Sequence, residues 1–149
     1  MRPPLRSAGD RAALRAAVAE GVIGAVCSDH QPHDADAKLA PLGESAPGIS
    51  ALETLLPLVL DLAAGGACEL PTALARVTAG PARALGLEAG TLTPGAPADV
   101  CVIDPDAAWT VDPERLHSRG HNTPFAGREL RGRVETVLLG GSRVWPEAS

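Results

Sequence analysis

Three side chains able to do chemistry fall within five consecutive positions, Asp29, His30 and His33, at the end of the stretch Val22-Ile23-Gly24-Ala25-Val26-Cys27-Ser28-Asp29-His30-Gln31-Pro32-His33. A carboxylate and two imidazoles delivered together can hold a metal ion, move a proton or grip an anionic substrate. Each also has a plainer reading. Asp29 can be a turn or N-cap acid, His30 a ring that packs at a strand end or bonds to backbone, and His33 a hydrogen-bonding group within its own loop rather than a substrate contact. The residues before them, Val22–Cys27, form a short apolar run that predicts a buried strand. In parallel α/β folds, chemistry collects where such strands end and loops begin.

The flanking sequence supplies elements to hold that loop. Ser7-Ala8-Gly9-Asp10 has the spacing of a capping box, and Leu14, Ala17 and Val18 recur at helical spacing up to Gly21. Helix, strand and loop in that order imply an α/β fold. Residues 28–47 lack periodicity and carry Pro32, Pro41, Gly43 and Pro47, which predicts a long functional loop. Ile49, Leu52, Leu55, Leu56, Val59 and Leu60 mark a mostly buried helix over Ile49–Leu62, with a kink expected at Pro57. Glu53 then reads as a favourable charge on that helix's first turn, and Lys38 as a solvated loop charge. A third helix has Pro71 in its first turn. A fourth, Pro81–Leu85, stops at Gly86, with Arg83 expected to tie it to a carbonyl or an acid. From about residue 89 the texture changes to short alternating segments, Asp99–Ile103, Trp109–Val111, Arg133–Leu138 and Arg143–Trp145, with Gly140-Gly141 as a hairpin turn. The chain divides on this reading into an α/β part, residues 1–88, and a small β module, residues 89–149. His117 and His121 lie in the module as surface or loop residues.

Composition narrows the function. A net charge of -5 without a basic patch argues against nucleic-acid binding, and 2% aromatic residues leave few surfaces on which bases could stack. No apolar run is long enough to span a bilayer, and the N-terminus lacks the apolar segment of a signal peptide. Cys27, Cys68 and Cys101 are odd in number, widely spaced and set in apolar context. They read as reduced, buried thiols of a cytoplasmic protein.

Several segments together resemble the dihydroorotases of the amidohydrolase superfamily. These are Ser28-Asp29-His30-Gln31-Pro32-His33, then Pro47-Gly48-Ile49 leading into Leu52-Glu53-Thr54-Leu55-Leu56-Pro57-Leu58, together with Pro3-Pro4-Leu5-Arg6, Gly80-Pro81-Ala82-Arg83-Ala84-Leu85-Gly86-Leu87, Gly95-Ala96-Pro97-Ala98-Asp99-Val100 and Asn122-Thr123-Pro124-Phe125-Ala126-Gly127. The resemblance implies the C-terminal end of a β/α (TIM-type) barrel followed by part of a small composite β-sandwich. It implies interconversion of N-carbamoyl-L-aspartate and L-dihydroorotate, a step of pyrimidine biosynthesis, with zinc lowering the pKa of a bound water. By the same resemblance Asp29 is the metal-binding acid and proton shuttle. His33 helps hold the substrate carboxylate, and backbone at Pro47 and Gly48 contacts substrate.

The sequence also departs from that pattern. The family's His-x-His pair, its carboxylated lysine and two further histidines have no counterpart here, so Asp29 is the one family metal ligand present. The chain alone is therefore expected neither to hold zinc tightly nor to turn over substrate. Arg2 stands where active members often have Asn, and Ser45-Ala46-Pro47-Gly48 where many have Ala-Pro-Phe-Gly. The Asp-His-Gln-Pro-His wording is similar to dihydroorotase-like proteins without zinc ligands, which partner aspartate carbamoyltransferase as non-catalytic subunits. Allantoinases and hydantoinases share the same barrel ending. An unpartnered barrel strand predicts self-association, or docking onto either the rest of a barrel or a carbamoyltransferase chain.

Overall fold

A computed structural model of the chain describes residues 1–146. The order is four α-helices and then a three-stranded antiparallel sheet, with short 3-10 turns at Ala35–Lys38 and Pro113–Arg115: α1 (Ala8–Glu20), α2 (Leu55–Ala64), α3 (Leu70–Ala75), α4 (Ala79–Leu85), β1 (Val100–Thr110), β2 (Glu129–Leu139) and β3 (Ser142–Trp145). No helix among the described residues is long and apolar enough to cross a membrane.

Helix α1 begins as the local sequence dictates. The Ser7 hydroxyl accepts from the Asp10 amide at 3.2 Å, and the Asp10 carboxylate accepts from the Ser7 amide at 3.0 Å. Gly21 closes the helix in the left-handed conformation. The Ser7 side chain, and then the Ser7 backbone, hold the Asp10 carboxyl below the usual carboxylate range. A lowered folded-state value contributes stability that is present above the unfolded carboxylate pKa and lost as pH falls through the folded value. The start of α1 is thus expected to loosen in acid below the ordinary aspartate range. Amide chemical shifts of Ser7 and Asp10 followed against pH will show this step, and Ser7→Ala should abolish it.

Val22–Cys27 is not a strand. Its amides bond outside the segment only at Ile23, to the Ala17 carbonyl of α1 at 3.0 Å, and at Val26, to the Arg76 carbonyl at 2.8 Å, and Val22 is 78% exposed. A strand needs a ladder on its edges, and the described residues supply no parallel neighbour. Arg76 acts as the local tie instead, since its Nε also donates to the Val18 carbonyl at the end of α1. Arg83, expected in such a role, is exposed.

Helix α2 starts at Leu55, six residues later than the apolar stripe suggests. Ile49 forms an isolated parallel bridge with His30, and Leu52 faces solvent. Pro57 therefore falls in the first helical turn, where its missing N–H costs nothing, and no kink is required. Pro57, Val59 and Leu60 are buried, with α2 against α3 on one side and β2 on the other. Helix α4 starts two residues before the expected Pro81. In the sheet, the two short strands expected over 99–111 join as β1. Its register breaks between Asp104 and Ala108, where Pro105 cannot donate to a ladder. The Asp104 carboxylate accepts from the amides of Asp106 and Ala107 across that break. Gly140 and Gly141, both at positive φ, turn β2 into β3.

The cysteines are free, as their spacing implies, but not buried. Cys27 and Cys101 are exposed and Cys68 is half-buried. Their apolar context comes from segments that do not close over them. Partial desolvation raises the Cys101 thiol pKa.

Candidate functional site

The acid loop after residue 27 and the segment 46–50 lie side by side. The Gln31 amide donates to the Ile49 carbonyl at 2.9 Å, next to the parallel bridge of His30 with Ile49. Asp29 sits at φ 44, the single non-glycine residue with positive φ among those described. Aspartate tolerates this region better than most residues, and such backbone at a loop apex marks a constrained position. The carboxylate is exposed, and its Oδ2 accepts from Gln31 Nε2 at 3.0 Å.

His30 is structural. Its Nδ1 accepts from the amides of Ala51 and Leu52 at 3.0 and 3.1 Å. Amides can only donate, so the proton sits on Nε2, which faces the Ser118 hydroxyl at 3.4 Å. Both ring nitrogens are engaged, and the ring offers no lone pair to a metal.

His33 points across the loop. Its Nε2 lies 2.9 Å from the Pro47 carbonyl, which can only accept, so Nε2 carries a proton and donates. The structure thus brings His33 to Pro47 and Gly48, and Gly48 lies against Gln31, whose amide reaches Asp29. Lys38 corrects an expectation. Rather than a solvated charge, its ammonium donates to the carbonyls of Ala46 and of Gly48, the latter at 2.8 Å.

Two further residues organise the site from a distance. The Asn122 carboxamide accepts from the His33 amide at 2.8 Å and donates to the Gln31 and Gly48 carbonyls at 3.2 and 3.3 Å. Ser50, almost fully buried, directs its one hydroxyl proton between Asn122 Oδ1 and the Gly120 carbonyl. Glu53 precedes α2 rather than lying on it. Its carboxylate accepts from the amides of His117 and Ser118, at 2.8 and 3.3 Å. The sequence signal for Asn122 was its place in the Asn-Thr-Pro-Phe-Ala-Gly motif. Nothing local to Glu53 pointed to a partner 64 residues away. His121 is exposed and pairs with Glu114 at 3.0 Å, and the His117 ring packs edge-on against Trp145.

An open cleft of about 750 Å³ is lined by Asp29, Gln31 and Gly48 and by Arg2 and Arg6 of the N-terminal segment. Guanidinium groups there suit an anionic ligand. No group of three or more His, Cys, Asp or Glu among the described residues could hold a metal ion. One carboxylate with both nitrogens of the adjacent imidazole engaged does not fit a complete zinc site.

Comparison with known proteins agrees with this architecture. Residues 2–144 match the model of the Amidohydrolase family. The chain is 52% identical over 141 residues to a dihydroorotase-like protein of Pseudomonas putida, covering 95% of this chain and 33% of that one. It is 48% identical over 147 residues to a dihydroorotase of Anaeromyxobacter sp. (strain K), covering 99% and 34%. The L-hydantoinase (dihydropyrimidinase) of Arthrobacter aurescens superposes with a TM-score of 0.88 at 27% identity, over 99% of this chain and 34% of the other. The chain spans about a third of the length of the relatives it matches. Its helices and antiparallel strands match one part of the fold of these TIM-barrel enzymes. With the family pattern running almost end to end over a shared fold, the chain belongs to the amidohydrolase family.

Proposed function

We propose that residues 28–50 form the acid and substrate-anchoring part of a dihydroorotase-type cyclic amide hydrolase, acting on N-carbamoyl-L-aspartate and L-dihydroorotate. The observation that carries this reading is the latched pair of segments, which links Asp29 and Gly48, at the cleft that Arg2 and Arg6 also line, to His33 and Pro47. Asp29 is the acid that exchanges a proton with the reacting amide and the family's metal-binding carboxylate. To His33, oriented by the Pro47 carbonyl, and to backbone at Pro47–Gly48 we assign the substrate carboxylate. Zinc is the metal we assign to the complete site, and Asp29 is the one ligand this chain contributes. We also place the protein in the cytoplasm, where three free cysteines remain reduced. Residues 1–88 act as the barrel part and 89–149 as the module that braces it.

A second reading has its own support. Arg2 and the Ser45-Ala46-Pro47-Gly48 wording depart from active dihydroorotases, and two Pseudomonas relatives at 50–52% identity are named dihydroorotase-like. On that reading the chain is part of a non-catalytic scaffold for aspartate carbamoyltransferase.

A chimera separates the two. The matching third of the Anaeromyxobacter dihydroorotase is replaced by this chain, and L-dihydroorotate hydrolysis is followed with zinc supplied. The enzyme reading expects turnover, and Asp29→Asn should lower kcat by about 10²–10⁴-fold. His33→Gln should act mainly on KM. A folded, zinc-loaded chimera without turnover would favour the scaffold. The chain by itself is expected to show no turnover above a zinc-only blank.

A further inference from the structure

We propose that Asn122 is a positioning residue. Its carboxamide fixes the Gln31 backbone, so that the Gln31 carboxamide holds the Asp29 carboxylate in one pose. The role assigned to Asp29 rests on the reading above, but the clamp itself rests on geometry.

Asn122 and Gln31 are the chain's single asparagine and single glutamine. Both of its carboxamides therefore lie at this loop, and they act in series. Every hydrogen-bonding position of the Asn122 side chain is used. Oδ1 accepts from the His33 amide and shares the single Ser50 hydroxyl proton with the Gly120 carbonyl, and Nδ2 donates to the Gln31 and Gly48 carbonyls. A carboxamide has two acceptor and two donor positions, so this arrangement fixes its orientation and admits no isosteric substitute. Aspartate would turn two carboxylate–carbonyl contacts repulsive. Asn122 also accepts at its own carbonyl from the Ser50 amide at 3.1 Å. Three separate stretches of chain, around residues 31–33, 48–50 and 120–122, are thereby locked to one another.

Gln31 carries the constraint onward. Its amide is tied to Ile49, its carbonyl to Asn122, and its side chain lies so close to Gly48 that a Cβ there would meet Gln31 Cβ at 2.5 Å. With its backbone held and one flank walled off, Gln31 Nε2 reaches Asp29 Oδ2. Asp29, on strained positive-φ backbone and exposed, has no other hydrogen bond to its carboxylate from the described residues. The pose of the acid therefore depends on a residue 93 positions along the chain.

The pair makes the test direct, because the chain gives only two side-chain carboxamide NH₂ signal pairs in a ¹⁵N-correlation spectrum. Asp29→Ala should shift the Gln31 pair and leave the Asn122 pair in place. Asn122→Asp leaves Gln31 as the one remaining pair. That pair should move toward the position of a free carboxamide, while circular dichroism keeps its native shape. In the wild type, the Asn122 NH₂ protons, bonded to two carbonyls, should exchange with water about tenfold more slowly than those of Gln31. A Gln31 pair indifferent to Asn122→Asp in a folded chain overturns the proposal, as does one indifferent to Asp29→Ala. Should Asn122→Asp prevent folding, the wild-type exchange rates decide: equal rates overturn the clamp and slower Asn122 exchange supports it. None of these readouts needs turnover. An inactive chimera therefore counts against the enzymatic reading, and a silent Gln31 pair counts against the clamp.

Discussion

Purified by itself, the chain is expected to elute as a dimer or larger species rather than as a monomer. The segment Val22–Cys27 has the composition of a central barrel strand, yet no ladder covers its edges among the described residues. Val22 is 78% exposed, Leu5 82% and Leu42 94%, and Leu14 projects from a helix that is solvent-exposed along most of its length. Burying each such side chain contributes about 1.5–3 kcal/mol. A few together rival the whole stability of a small domain, roughly 5–15 kcal/mol. The unpaired edge gives direction to the association, because an extended backbone accepts a second strand through its free amides and carbonyls. Light scattering after size exclusion is the measurement. Val22→Lys, which places a charge on that edge, should shift the distribution toward monomer. A monodisperse wild-type monomer with a sharp cooperative melt would show that the chain closes its own core, and the expectation would fail.

What could be read from the sequence follows the range of the forces involved. The start of α1 was legible because a capping box is settled within four residues, and the β2–β3 turn because two consecutive glycines permit positive φ. The course of α2 was only half legible. Leu55, Leu56, Val59 and Leu60 do lie on the helix, but Ile49 and Leu52 extend the same spacing into residues that form a loop. Periodicity cannot tell a helical face from apolar residues recruited by tertiary contacts. The error then carried over to Pro57, whose effect depends on which turn it occupies, and to Glu53, placed on a helix that had not yet begun. The strand at Val22–Cys27 was a sound reading of composition. Composition specifies what a segment needs, and the partners that would satisfy it do not lie along the same stretch of sequence.

The site divides in the same way. Asp29, His33, Pro47 and Gly48 were singled out through a resemblance carried by short motifs, and the loop that contains them was visible as aperiodic, proline-punctuated sequence. The groups that organise it were not. Lys38 reads as an ordinary loop charge until its ammonium is seen between two carbonyls. Asn122 and Ser50 act across 70 to 91 positions on backbone atoms, which are the same in every residue and leave no trace in sequence pattern. His30 was ambiguous for the opposite reason. A histidine beside an acid suggests a ligand, and only the two amides aimed at its Nδ1 identify it as a brace.

Gly48→Ala should be among the most damaging single-atom additions to the loop, and a control at Gly95 makes the reason measurable. Gly48 sits at φ 115, and an added Cβ would lie 2.5 Å from Gln31 Cβ and 2.7 Å from Gln31 Oε1. Gly95 shares the backbone strain at φ 92, but a Cβ there meets nothing within 4 Å. Both alanines force a left-handed conformation at a cost of about 1–3 kcal/mol, or roughly 5 °C of melting temperature for a chain of this size. Only Gly48→Ala adds the collision. Gln31 cannot yield cheaply, because its amide and carbonyl are bonded to Ile49 and Asn122. The expected result is a fall in Tm at least about twice that of Gly95→Ala, measured at one fixed protein concentration so that association does not confound it. Removing the opposing atom should undo part of the damage. Gln31→Gly in the Gly48→Ala background should recover melting temperature relative to Gly48→Ala alone, whereas in the Gly95→Ala background it should recover none. Equal losses at Gly48 and Gly95 would mean that the two segments do not pack as closely as the 2.5 Å approach requires, and the latch between the acid loop and the Pro47–Gly48 segment would have to be abandoned.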